Sequence, residues 1–241
     1  MRTLLFCTFF SLATMLVRAD PPKLASTSPQ YWAVGVNASS QKTISLTFDQ
    51  PMRSGFWDWS GRDVLSPASD LHTSVSPDRL TFTIEVKLQS GRAYICGLNE
   101  RGISGVGFQN EKGLSLPPTY LVFQTSGTVA TKDAPPRVLR AMPQHGATGV
   151  DVARVRSVSI TFDKPMNPKK HGLHLLENNN PVDISKVPYA YSPDGMTFTL
   201  PYPFKPSTQY RLELDNIHDI GFSAVNKVPL WPAQISFATG P

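Results

Sequence analysis

The chain of 241 residues is long enough for one large domain or two of ordinary size, and 40% hydrophobic with 17% charged residues excludes a disordered chain. Its net charge of +5 comes without any Lys/Arg-rich run, which excludes a nucleic-acid-binding footprint. Twenty-two prolines, about 9% against an average near 5%, favour short strands and turns over long helices.

The chain opens with Met1-Arg2, an apolar run from Thr3 to Val17, and Val17-Arg18-Ala19. A positive start, a short apolar run and a small-residue site form the pattern of a secretory signal peptide, with cleavage expected after Ala19. The run is too short to span a bilayer. Loss of Arg2 and Arg18 lowers the net charge to +3, and Cys7 leaves with the leader. Cys96 then remains alone. It shares a strand face with Tyr94 and Leu98, so a buried, inert thiol is expected. No later apolar segment provides stable membrane insertion, so the expected location is secreted, periplasmic or cell-surface.

The remainder is one unit written twice. Pro21 to Met52 aligns without gaps with Pro135 to Met166 at a shift of 114, with 13 of 32 positions identical. Ser76-Pro77-Asp78 to Ile84 aligns with Ser192-Pro193-Asp194 to Leu200 at a shift of 116, as do Tyr94 and Leu98 with Tyr210 and Leu214. Gly107-Phe108 with Gly221-Phe222, and Phe123 with Phe237, return to 114. This predicts domains at 20–127 and 135–241 with a short polar linker, 128–134, between them.

Within each copy the period is two. Ile44, Leu46 and Phe48 alternate with Thr43, Ser45 and Thr47; Val158, Ile160 and Phe162 repeat the pattern. Such alternation marks strands with one buried face, and Ser-Pro-Asp is turn chemistry. The expected fold is all-β: two tandem immunoglobulin-like sandwiches.

The string P-x-x-G-A-x-x-V, an alternating strand, F-D-x-P-M, S-P-D-x-x-T-F-T and a closing F-x-T resembles the bacterial Ig-like domain of S-layer (SbsA-like) type. The resemblance covers both copies, and the first departs from it with Tyr31-Trp32 where the second has His145-Gly146. It implies a spacer or attachment module and brings no catalytic residues.

Candidate chemistry is sparse. Asp49, Pro51 and Met52, matched by Asp163, Pro165 and Met166, follow a strand in each copy. They read as a structural turn, in which Asp closes an Asx-turn, Pro ends the ladder and Met plugs one end of the sandwich. A calcium site needs more oxygen ligands than the one local carboxylate. His72, His145, His171, His174 and His218 read as solvated loop residues. No G-x-S-x-G occurs, and the glycines from Gly102 to Gly113 lack the Lys-Ser/Thr of a phosphate loop. No catalytic residue, metal or cofactor is expected. Phe56-Trp57-Asp58-Trp59 occurs only in the first copy. In an extended segment Trp57 and Trp59 share a face, either filling the core or forming a platform for a sugar ring or protein, with Asp58 and Arg62 serving hydroxyls.

The reading is therefore a non-catalytic structural or interaction module whose partner is a cell-surface protein or polysaccharide. The alternative is a polysaccharide-binding protein using the first-copy aromatics.

Overall fold

A computed structural model describes residues 20–55, 57–61, 72–100, 107–129 and 133–241; the expected leader, Phe56 and Arg62 lie outside them. Strands β1 (Leu24–Ser28), β2 (Ala33–Val36), β3 (Thr43–Phe48), β4 (Trp59–Gly61), β5 (Thr73–Val75), β6 (Thr81–Glu85), β7 (Ala93–Leu98) and β8 (Thr119–Thr125) build one immunoglobulin-like sandwich. Its sheets run β1-β3-β6-β5 and β2-β8-β7-β4. Strands β9 (Val138–Met142), β10 (Ser157–Phe162), β11 (Leu173–Glu177), β12 (Asn180–Val182), β13 (Ala190–Tyr191), β14 (Thr197–Pro201), β15 (Gln209–Leu214) and β16 (Ala233–Ala238) build another. Its sheets run β9-β10-β14-β13 and β12-β11-β15-β16.

The expected alternation sets the faces. In β3 and β10 every second residue is buried, and Ile44, Leu46, Val158, Ile160 and Phe162 are fully so. The matched strands pair in the same register: Leu46 lies opposite Phe82, and Ile160 opposite Phe198. Each sandwich has its own apolar core. The Ser-Pro-Asp turns are built identically. Ser76 Oγ donates to Asp78 Oδ1 and accepts from Thr81 N at 2.9 Å; Ser192, Asp194 and Thr197 repeat this with 2.9 Å for the second bond. Asp78 and Asp194 are held below the usual carboxylate range by that serine hydroxyl and by the backbone N–H two residues on.

The copies differ on one outer face. All six residues of β7 are buried, whereas β15 alternates. Tyr94, Cys96 and Leu98 point into the core as expected, but Ala93 and Ile95 on the opposite face are also buried. They form a third apolar cluster with Val122 of β8 and with Ile220 and Val228 of the second sandwich, flanked by Trp32, Tyr120 and Trp231. Backbone and side-chain bonds reinforce it: Tyr120 N donates to Ile217 O at 2.7 Å, and Trp231 Nε1 donates to Trp32 O at 3.1 Å. The two sandwiches are thus packed against each other rather than joined by the connecting segment alone. In the second copy the corresponding positions are Gln209, Arg211, Gln234 and Ser236, none of them buried.

Candidate functional site

Trp57 and Trp59 close one end of the first sandwich. In β4, Trp59 lies opposite Leu98, just as Leu173 lies opposite Leu214 in the second copy. Trp59 is partly buried against the first core, where its counterpart Leu173 is fully buried. Trp57 therefore matches His171. The indole of Trp57 meets Phe82 edge-on at 6.3 Å, and the imidazole of His171 meets Phe198 at 5.3 Å. A ring stands over the same core phenylalanine in both copies, although its chemical type changes. Trp57 keeps 41% of its surface exposed. The two indoles therefore divide between the core and platform alternatives: one ring is open, and the other packs against the core. Asp58 presents its backbone oxygen to Asn99 N at 3.2 Å. Arg62 lies outside the described residues.

The Asp-x-Pro-Met segments behave alike in the two copies, but not through a local Asx-turn. Asp49 Oδ1 accepts from Lys23 N at 2.9 Å and Asp163 Oδ1 from Arg137 N at 2.8 Å. Each carboxylate reaches back to the residue just before the first strand of its sandwich. The sequence reading put the bond within the turn because nothing in local spacing reveals a partner 26 residues upstream. Met52 and Met166 are buried in their cores, beyond Pro51 and Pro165. Among the described residues, no three His, Cys, Asp or Glu side chains are grouped to hold a metal ion.

Of the histidines, His72, His145 and His218 are exposed, as expected of solvated loop residues, while His171 and His174 are partly buried. The ring of His171 packs on Tyr189 at 4.5 Å, and burial holds it below the usual imidazole range against the opposing pull of Asp219. His145 Nδ1 accepts from Ser236 N at 3.1 Å. His218 Nδ1 lies 3.1 Å from Pro118 O, across the contact between the sandwiches. His174 Nε2 lies 3.3 Å from Asp219 Oδ2. That pair lines an open groove of about 410 Å³ together with Asp183 and Glu213. Cys96 is fully buried, and burial pushes its thiol well up, which leaves little thiolate for reaction.

Two features escaped the sequence reading. The first is the joint. Trp32 and Trp231 meet edge-on with ring centroids 5.6 Å apart. Their counterparts at the shift of 114, Gly146 and Pro117, carry no such rings. The contrast between AYICGL in β7 and QYRLEL in β15 carried the signal, because the first is apolar on both faces. The second is Asp215, a carboxyl only 3% exposed in the second sandwich.

No curated protein matches the chain. Among solved structures, a fragment of titin domains I67-I69 is 14% identical over 92% of the chain, with a TM-score of 0.28. A tandem pair of Ig repeats from Dlar is 12% identical over 92% of the chain and 98% of its own length, with a TM-score of 0.25. The chain spans 66% of the titin fragment. The family model described as "Bacterial Ig-like domain" matches residues 132–239, so the second sandwich carries a bacterial Ig-like domain.

Proposed function

We propose that the chain is an exported, non-catalytic attachment or spacer module at the cell envelope, made of two tandem SbsA-like Ig copies released from their leader at Asp20. The observation that carries this reading is the joint. Two sandwiches fastened through Ile95, Val122, Ile220 and Trp231 hold a fixed geometry, as a spacer requires. The conspicuous carboxylates support the same reading, since Asp49, Asp78, Asp163 and Asp194 each bond within their own sandwich. The test is fractionation of cells that produce the full chain, followed by N-terminal sequencing. Protein beginning at Asp20 and retained on envelope material is expected. Protein beginning at Met1 in the cytoplasm would overturn the reading.

A second reading, polysaccharide binding, is favoured by one observation: Trp57 presents an open ring at the end of the first sandwich. Asp58 and Arg62 would then serve sugar hydroxyls. Trp59, packed against the core, adds little platform. A glycan array probed with residues 20–241 and with Trp57→Ala distinguishes the two. Signal lost in the variant supports sugar binding, and an array without signal removes it.

A further inference from the structure

Asn99 and Asp215 occupy the same place in the two sandwiches. Both have left-handed backbone, with φ of 52° and 55°, and both are buried. Asn99 is fully satisfied. Its Oδ1 accepts from Phe108 N at 2.8 Å, and its Nδ2 donates to Phe108 O and Leu116 O, both at 2.9 Å. Asp215 keeps half of this pattern, with Oδ1 accepting from Phe222 N at 2.9 Å. Its Oδ2 is buried with no partner. The residues matching Phe108 and Leu116 are Phe222 and Leu230, and the local backbone repeats: Leu230 N donates to Phe222 O as Leu116 N donates to Phe108 O, each at 2.9 Å. By this match Oδ2 stands where an amide N–H₂ donates to carbonyl oxygens. A carboxylate has no hydrogen to give there, while a carboxylic acid has one.

The surroundings favour the acid. Burial drives the carboxyl well above its usual range, and the Asp219 carboxylate adds to that rise; the Phe222 and Gly221 N–H groups oppose it. The other titratable neighbours are the Tyr191 hydroxyl on β13, which feels Asp215, and the His171 ring, which packs on Phe222. His174 is paired with Asp219. Among the described residues, no lysine or arginine forms an ion pair with Asp215. Gly172 leaves no room for adjustment, since a Cβ there would lie 2.0 Å from Asp215 Oδ1.

Asp215 also sits at the base of the loop that makes the joint. Its bond to Phe222 closes residues 216–221. Within that span Ile217 O accepts from Tyr120, His218 faces Pro118 O, and Ile220 enters the shared apolar cluster. We propose that Asp215 is a neutral carboxylic acid in the folded chain, standing in for the Asn99 amide, and that its ionisation releases the loop fastening the second sandwich to the first. The sign follows from linkage. A carboxyl whose folded value is raised contributes stability that is complete below its unfolded range and is lost as pH rises through the folded value.

The test uses residues 20–241 with ¹³C-labelled aspartate. At neutral pH the Asp215 carboxyl carbon should resonate as a protonated acid. On raising the pH, its titration should coincide with a change in the Trp231 Nε1–H signal, the reporter of the joint. Asp215→Asn should unfold at a higher temperature at neutral pH, and the fall of its midpoint on the alkaline side should be reduced. An ionised signal for Asp215 at neutral pH overturns the proposal even if the variant does not fold. Titration of Asp215 without any response at Trp231 overturns the link to the joint.

Discussion

Trp32 has φ of 59°, where its counterpart Gly146 has 80°. Both donate their N–H to the neighbouring strand, Trp32 to Val122 O and Gly146 to Ser236 O. Glycine is at ease in this conformation; a bulky residue there costs on the order of 1–3 kcal/mol. The tryptophan is accommodated because its ring meets Trp231, a contact of about 0.5–1.5 kcal/mol for an aromatic pair. Trp32→Gly therefore exchanges local strain for a looser joint. Its unfolding midpoint should move little, while the Tyr120 N–H, which crosses the joint, should exchange faster; unchanged protection there would assign no role to the ring. In the cores the expectation is simpler. Phe48 and Phe162 are at most 2% exposed, so Phe48→Ala or Phe162→Ala should cost ~3–5 kcal/mol by denaturant unfolding. On the acid side, Asp78 and Asp194 have depressed folded values, so their contribution is lost as pH falls through those values. Asp194→Ala should flatten the acid limb of the stability profile, measured as midpoint against pH.

Among the elements, the strands whose pattern is a strict alternation were legible, because burial on one face and exposure on the other is what alternation encodes. That is why Ile44, Leu46 and Phe48, with Val158, Ile160 and Phe162, are buried as read. Strand β7 was read by its inner face alone. Its outer face, Ala93 and Ile95, is covered by residues more than a hundred positions away, and no local spacing announces such a cover. The aromatic segment of the first sandwich stayed open between core and surface for a related reason. Trp57 seemed private to one copy, yet at the shift of 114 it falls on His171, and both rings meet the same core phenylalanine. A change of residue type hid a shared position. Replacing Ile95 by the arginine found at position 211, Ile95→Arg, places a charge in the apolar joint while leaving the inner face of β7 intact. The chain should lengthen in small-angle scattering as the sandwiches separate, with near-native circular dichroism; an unchanged profile would mean that Ile95 does not hold the joint.

At the scale of the whole molecule, two cores and one shared cluster give an unequal partnership. Residues 135–241 contain a complete apolar core and should fold alone with a cooperative transition in circular dichroism. Residues 20–127 alone would expose Ala93, Ile95 and Val122, so this fragment should self-associate in sedimentation experiments where residues 20–241, with that face covered, do not.

The joint is head-to-tail: the loop side of one sandwich covers the sheet face of the other. A contact of that kind, repeated, builds a ring where its rotation closes and an open filament where it does not. The sheet face that would receive the next unit carries Gln209, Arg211, Gln234 and Ser236, and polar side chains offer an incoming Ile220 and Val228 nothing to bury against. The polar substitutions that make β15 alternate therefore leave that face without an apolar seat for another copy's loop, and they act against repetition of the same contact from molecule to molecule.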